Sequence, residues 1–359
     1  MMARLTRAEQ QARTRASVLD AARAEFVEHG YAAAKVDRIA ERADLTRGGV
    51  YSNFPGKRAL YLAVLVDLVE RPEPARRLSA PDSVASALSA FARRWLERLP
   101  LVEEPAAGGR LQLRSLVGVV DDEHGRAVLA KLAQVEALLL AIGLESGEPA
   151  APRRVRLAEL VLTLLAGSGF QAELAPGTGD PFDRARACAH LADLDLADTW
   201  APPYLAFVRP AHPCRDAWDP PTGLVDRISG APADLGADGS ITVLGALRLG
   251  AAEEAVRAAW PSDRVTIVLV TADAAETGAL VDLRLGDLIA CLRAVFPLSV
   301  WQHIRLVTSG GALVAAALGL SECDDETEAA VRIQDGMVVA RGRGRGAAHA
   351  VAGSRRAEA

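Results

Sequence analysis

Two short helical patterns, Lys35 to Ala43 and Arg47 to Phe54, stand only three residues apart near the start of this sequence. Val36, Ile39 and Ala40 share one face of the first pattern. Val50 and Phe54 share one side of the second, with Arg47, Gly48, Tyr51 and Ser52 on the other. Two helices joined this tightly must cross sharply, and the turn Ala43-Asp44-Leu45 needs a residue that tolerates positive φ, which Asp44 does better than most. Thr46 is placed to cap the second helix through its hydroxyl. A longer amphipathic helix precedes them over residues 13–29, with Val18, Ala22 and Phe26 at helical spacing and Gly30 as its stop. Pro55-Gly56 ends the second short helix, and a fourth runs from Lys57 to Glu70 before Pro72 and Pro74. This is a helix-turn-helix layout.

The polar side of the second short helix suits the major groove of DNA, about 12 Å wide. Gly48 and Gly49 carry no side chains, so the backbone can approach closely. Arg47 can reach a guanine edge or a phosphate, and Tyr51 offers a ring to a thymine methyl and a hydroxyl to a phosphate. Lys57 stands at a helix start, where its charge and the helix N-terminus both suit phosphate. Lys35, Thr46 and Ser52 complete the expected DNA-binding set. The net charge of −5 argues mildly against such a partner. Its distribution reverses the argument. Residues 1–58 carry eleven Lys and Arg against seven Asp and Glu, a net of +4, and the remainder carries thirty against thirty-nine, a net of −9.

The stretch from Ala21 to Leu65 resembles the DNA-binding domain of the TetR (tetracycline-repressor-like) family of bacterial transcriptional regulators. The likeness rests on Phe26 followed by Gly30, on VDRIAERA at 36–43, TRGGVYSNF at 46–54 and PGKRAL at 55–60, and covers roughly residues 10–70. The family usually has Gly where this chain has Asp44, Thr or Ser where it has Lys35, and often Ser where it has Gly56. The resemblance implies a homodimeric regulator, most often a repressor, acting on a palindromic double-stranded DNA operator and released by a small-molecule effector. It also implies an all-α regulatory domain behind a head spanning 1–72.

Helical patterns expected of that domain, 80–200, fall at 83–99, 110–121, 125–144, 153–172 and 181–199, with breaks rich in Pro and Gly between them. The last two are the expected dimer-interface helices, with Leu157, Leu160, Val161 and Leu164 as an apolar stripe and small residues at 166–169 permitting close packing. An effector cavity is expected between the helices of 83–144, where Trp95, Arg110, Gln112 and Arg114 are candidate lining residues.

Proline-rich residues 201–238 read as a linker to an α/β domain at 239–359. Strands are expected at 241–246, 264–271, 303–308, 330–334 and 337–341, with helices at 251–260, 283–296, 311–320 and 346–352. RVTIVLVT at 264–271 has the continuous apolar character of a strand buried on both faces. Asp335-Gly336 is a two-residue hairpin signal. The order βαβαβαββα resembles a thioredoxin-like fold, but Ala272 to Glu276 stand where its Cys-x-x-Cys would be. The chain is therefore expected to be multi-domain: an all-α TetR-like N-terminal part, then a redox-inactive thioredoxin-like α/β domain.

Other classes are expected to be excluded. Four scattered cysteines (Cys188, Cys214, Cys291 and Cys323) do not make a disulfide scaffold. No continuous apolar run reaches the ~18 residues of a membrane span, and the N-terminus has no signal core, so a cytoplasmic protein is expected. No catalytic triad, metal-ligand set or phosphate loop stands out, so neither an enzyme nor a metal or cofactor is expected. Two alternatives remain for the α/β domain: an enzyme that the head regulates or localises, or a redox or protein-interaction module. The Arg/Gly run at 341–346 could touch phosphate or simply be a solvated basic end.

Overall fold

The computed structural model describes residues 6–71, 81–98, 111–146, 152–175, 177–199 and 203–354. Pro72, Pro74 and the candidate Arg110 lie outside the described residues. The head comprises α1 (Arg7–Ala33), α2 (Val36–Arg42), α3 (Arg47–Tyr51) and α4 (Lys57–Glu70). Gly30, at φ 71°, breaks α1 before its last residues. Val18, Phe26, Ile39, Val50, Phe54 and Tyr61 form the core between these helices. The rings of Phe26 and Tyr61 meet edge to face at 4.9 Å.

Behind the head stand α5 (Val84–Glu97), α6 (Glu123–Glu145), α7 (Val155–Leu174) and α8 (Pro181–His190). Two expected helices differ. Residues 111–120 are turns rather than helix, with Leu116 at φ 49° and Gly118 at φ 76°. Left-handed residues interrupt a right-handed helix, and the segment instead buries Leu111, Leu116, Val119 and Val120. The pattern over 181–199 remains α-helical only to His190. Beyond it Asp198 accepts the Arg156 backbone N–H at the start of α7 and pairs with Arg257 at 2.7 Å, which draws the chain away from a helical path. Helices α6 and α7 are long and apolar enough in composition to cross a membrane, although they are not continuous apolar runs. Of the most apolar stretch of α6, 61% is buried inside the protein, as befits a core helix.

The C-terminal part contains β1 (His212–Ala217), β2 (Gly239–Gly245), α9 (Ala251–Ala258), β3 (Arg264–Val270), α10 (Ala279–Val295), β4 (Ile304–Val307), α11 (Gly311–Ala317), β5 (Glu328–Gln334), β6 (Met337–Arg343) and α12 (Ala347–Ala352). They form one mixed sheet in the order β1-β6-β5-β2-β3-β4. Strands β2, β3 and β4 pair in parallel, and β5 and β6 form the antiparallel hairpin. Asp335 (φ 51°) and Gly336 (φ 71°) make the left-handed turn that such a hairpin requires.

The proline-rich segment is not a bare linker. His212–Ala217 pairs antiparallel with β6, with a bulge between Pro213 and Asp216. Proline, which lacks an N–H, is compatible with this edge position.

Both faces of β3 are covered, which accounts for its unbroken apolar run. Val268 and Val270 join Val314 of α11 and Leu318 at its C-cap. Val265, Ile267 and Leu269 face the other way, into a core continuous with α10, α4, α5 and α6. Helix α10 packs directly on those three helices of the N-terminal part. The α/β domain is therefore built into the helical body rather than tethered behind it.

Candidate nucleic-acid interface

The recognition turn is shaped by local chemistry. Asp44 adopts φ 55°, the conformation expected at the tight turn. Thr46 caps α3 by accepting the Gly49 N–H at 3.1 Å. Helix α3 is shorter than its sequence pattern, because Ser52 Oγ and Asn53 Nδ2 both donate to the Gly49 carbonyl, at 2.8 and 2.9 Å, and close its end. Val50 and Phe54 point into the core, and Tyr51 is exposed.

Arg47 lies over the Tyr51 ring at 5.5 Å and pairs loosely with Asp37 at 3.5 Å, both partners on the surface. Gly48 is exposed beside them and Gly49 is half-buried. A Cβ on Gly48 would meet only Thr46 Oγ1, at 3.8 Å. Internal packing therefore gives no reason for glycine there. Ser52 is exposed at the helix end. Lys57 is more engaged than expected: Nζ donates to the Ala32 carbonyl at 3.1 Å and sits 4.8 Å from the centre of the Tyr31 ring. Burial draws its pKa below the ordinary lysine value. Lys35 precedes α2, and its backbone N–H donates to Glu25 Oε1 at 3.1 Å.

Two head residues escaped sequence reasoning. Glu25 is fully buried and holds Arg38 at 2.8 Å and Arg42 at 3.4 Å, fastening α2 to α1. Arg15 lies over Phe54 at 4.2 Å and donates to the Asn53 carbonyl, bracing the end of the recognition turn. Neither has a motif; both occupy ordinary charged positions on α1.

The candidate effector residues are placed differently. Trp95 is buried under the Arg114 guanidinium, whose carbon lies 3.6 Å from the ring centre. Arg114 donates to the Trp95 carbonyl at 2.7 Å and to Asp287 of α10 at 2.8 Å. Trp95 and Arg114 therefore pack the junction with α10 instead of facing open space. The Gln112 N–H donates to the Tyr61 hydroxyl at 2.8 Å. The α7 stripe divides: Leu157 and Val161 are buried within the chain, whereas Leu160 and Leu164 are each 38% exposed.

The head also touches the α/β domain. Arg58, at the start of α4, pairs with Glu276 in the turn before α10 and with Asp122, the N-cap of α6.

Comparison with known proteins agrees with this geometry. Residues 18–64 match the family of bacterial regulatory proteins, tetR family. The chain is 42% identical over 81 residues to the HTH-type transcriptional regulator SrpR of Pseudomonas putida, a match covering 23% of this chain and 36% of that protein. The identity is again 42% over 81 residues to TtgW, an uncharacterized HTH-type transcriptional regulator from a strain of Pseudomonas putida, where the match covers 23% of this chain and 58% of that protein. The chain thus spans less than two thirds of either relative. Among solved structures, a TetR transcriptional regulator from Chloroflexus aurantiacus aligns with 51% of this chain and 94% of its own, at 26% identity and a TM-score of 0.35. Residues 18–64, which hold the helix-turn-helix, are therefore the part of this chain that is similar to the tetR family of bacterial regulatory proteins.

Proposed function

We propose that the chain is a cytoplasmic transcriptional regulator that binds a palindromic operator as a homodimer and represses until an effector releases it. The observation that carries this reading is the surface of α3. Arg47, Gly48, Tyr51 and Ser52 form an exposed polar face, with the half-buried Gly49 between them, opposite the buried Val50 and Phe54. Thr46 fixes the pitch of that face, while Lys35 and Lys57 flank it with positive charge. Two such helices, about 34–36 Å apart in a dimer, would enter successive major grooves.

The test is selection of bound DNA from a random pool, followed by titration of the best site at rising salt. A two-fold symmetric site whose log affinity falls linearly with log salt is expected, with a slope near −0.9 per phosphate contacted. Salt-independent affinity, or enrichment of no sequence, would overturn the reading.

Leu160, Leu164, Phe170 and Leu174 are exposed along α7, and Phe182 of α8 is 72% exposed. Gly167 lies among them, with nothing within 4 Å of a Cβ built there. This face supports pairing with a second copy. Leu160→Glu with Leu164→Glu is expected to yield a folded monomer by light scattering. Val161→Glu, at a fully buried position, is expected to unfold the protein instead. A dimer unaffected by the first pair would place the interface elsewhere.

A specific observation favours a regulatory role for the α/β domain over a catalytic one. Its helix α10 packs on α4, α5 and α6, and Arg58 ties its neighbouring turn to the head. Its central thiol is buried: Cys291 is pushed up to about 12 by burial, which keeps it protonated and unreactive. The parallel pair β2–β3 beside the antiparallel hairpin β5–β6 supports a thioredoxin-like α/β domain.

A further inference from the structure

At the carboxyl end of β2 the chain turns through residues 246–248 into α9, and this turn lies against α6 of the helical body. A cavity of about 250 Å³ separates the two. Its wall carries Lys131 and Gln134 from α6, Glu254 from α9, and Tyr204, Arg248 and Arg345.

Glu254 is the unusual member. It is 5% exposed, and burial with the nearby Glu328 carboxylate pushes its pKa up to about 7. One oxygen, Oε1, accepts the Tyr204 hydroxyl. The other, Oε2, is buried with no hydrogen-bond donor among the described residues. A buried carboxylate oxygen left without a donor is costly. Glu328 differs, because its oxygens accept from the Arg248 guanidinium and from the Ala348 N–H.

The same cavity holds two cations, Lys131 and Arg345, whose charges draw the Glu254 pKa down from a distance without supplying its Oε2 with a hydrogen bond. Lys131 makes no ion pair among the described residues, and Arg345 stacks on the Tyr204 ring at 4.1 Å. A buried acceptor without a donor thus lines the same small polar space as the exposed Arg345 and the half-buried Lys131. A molecule with an ammonium at one end and a carboxylate at the other satisfies both.

We propose that this cavity binds a small zwitterion of the amino-acid class, its ammonium donating to Glu254 Oε2 and its carboxylate held by Lys131 and Arg345. Such a ligand bridges α6 to the α/β domain. Because the N-cap of α6, Asp122, holds Arg58 of the head, occupancy bears on how the reading head is set. That last step rests on the regulator reading; the binding site does not.

The test is calorimetric titration of the full-length protein, without DNA, with each of the twenty common amino acids. For any that binds, its primary amine and its deaminated acid are titrated as single-charge analogues. At least one amino acid is expected to bind at millimolar concentration or below. Glu254→Gln and Lys131→Gln are each expected to weaken it about ten- to a hundredfold. Lys131 is only half-buried, so its variant remains informative if Glu254→Gln folds poorly. Either single-charge analogue binding as tightly as the amino acid overturns the proposal. So does undiminished binding in both variants, or no binding by any of the twenty. Binding that never alters affinity for a selected DNA site leaves the cavity assignment intact and removes only its link to the head.

Discussion

Asp287→Ala is expected to destabilise the protein by about 3–5 kcal/mol, since removing one partner strands buried charge. Asp287 joins Arg98 at 2.7 Å and Arg114 at 2.8 Å where α10 meets the helical body. Its side chain is 6% exposed, and those of Arg98 and Arg114 are 8% and 2% exposed. Burial alone raises the Asp287 pKa, but Arg114 and Arg98 outweigh it and hold the carboxyl below its ordinary value. The linkage sign follows from a lowered folded-state pKa. The stabilisation is present above the unfolded value, near pH 4, and is lost as pH falls through the folded one. Urea unfolding at neutral pH measures the effect. Replacing all three residues together with apolar ones of similar size is expected to recover most of the loss, because no charge remains buried. A single Asp287→Ala variant as stable as the parent would show that α10 does not dock as described. If the docked helix also sets the head, the variant will bind a selected operator with altered affinity at temperatures where it remains folded.

The second large effect is on DNA. Arg47→Ala and Tyr51→Ala are each expected to weaken binding to a selected site by about 1–3 kcal/mol, roughly five- to 150-fold. Arg47 has 61% of its side chain exposed, and Tyr51 is 38% exposed. Neither belongs to the core, so thermal unfolding is expected to change little, within about 0.5 kcal/mol. Losses of affinity with unchanged melting identify a contact; losses of both would indicate a folding defect. Parent-like affinity in both variants would move the DNA interface off α3.

The head was legible because its information is local. Phe26, Ile39, Val50 and Phe54 mark buried faces by helical spacing, and Asp44 and Thr46 mark the turn and cap by backbone chemistry that neighbouring residues dictate. The hairpin at Asp335-Gly336 was legible for the same reason. Strand β1 was not, because the prolines that punctuate it read as linker until β6 supplies an edge to pair with. The expected helix over 110–121 failed where Leu116 and Gly118 adopt left-handed conformations that apolar spacing does not reveal.

Local spacing and turn chemistry were enough to specify a head with a polar α3 face and an α/β unit at the other end of the chain. How these parts join depends on contacts between residues far apart in the chain. Arg114 and Asp287 stand 173 positions apart, and nothing in the spacing of either says that one neutralises the other. Trp95 and Arg114 looked like the wall of an effector cavity because an aromatic ring and a guanidinium suit a ligand; they suit a buried carboxylate on α10 equally well. The choice belongs to three-dimensional packing, because a buried charge selects whichever opposite charge the fold brings within reach, regardless of distance along the chain.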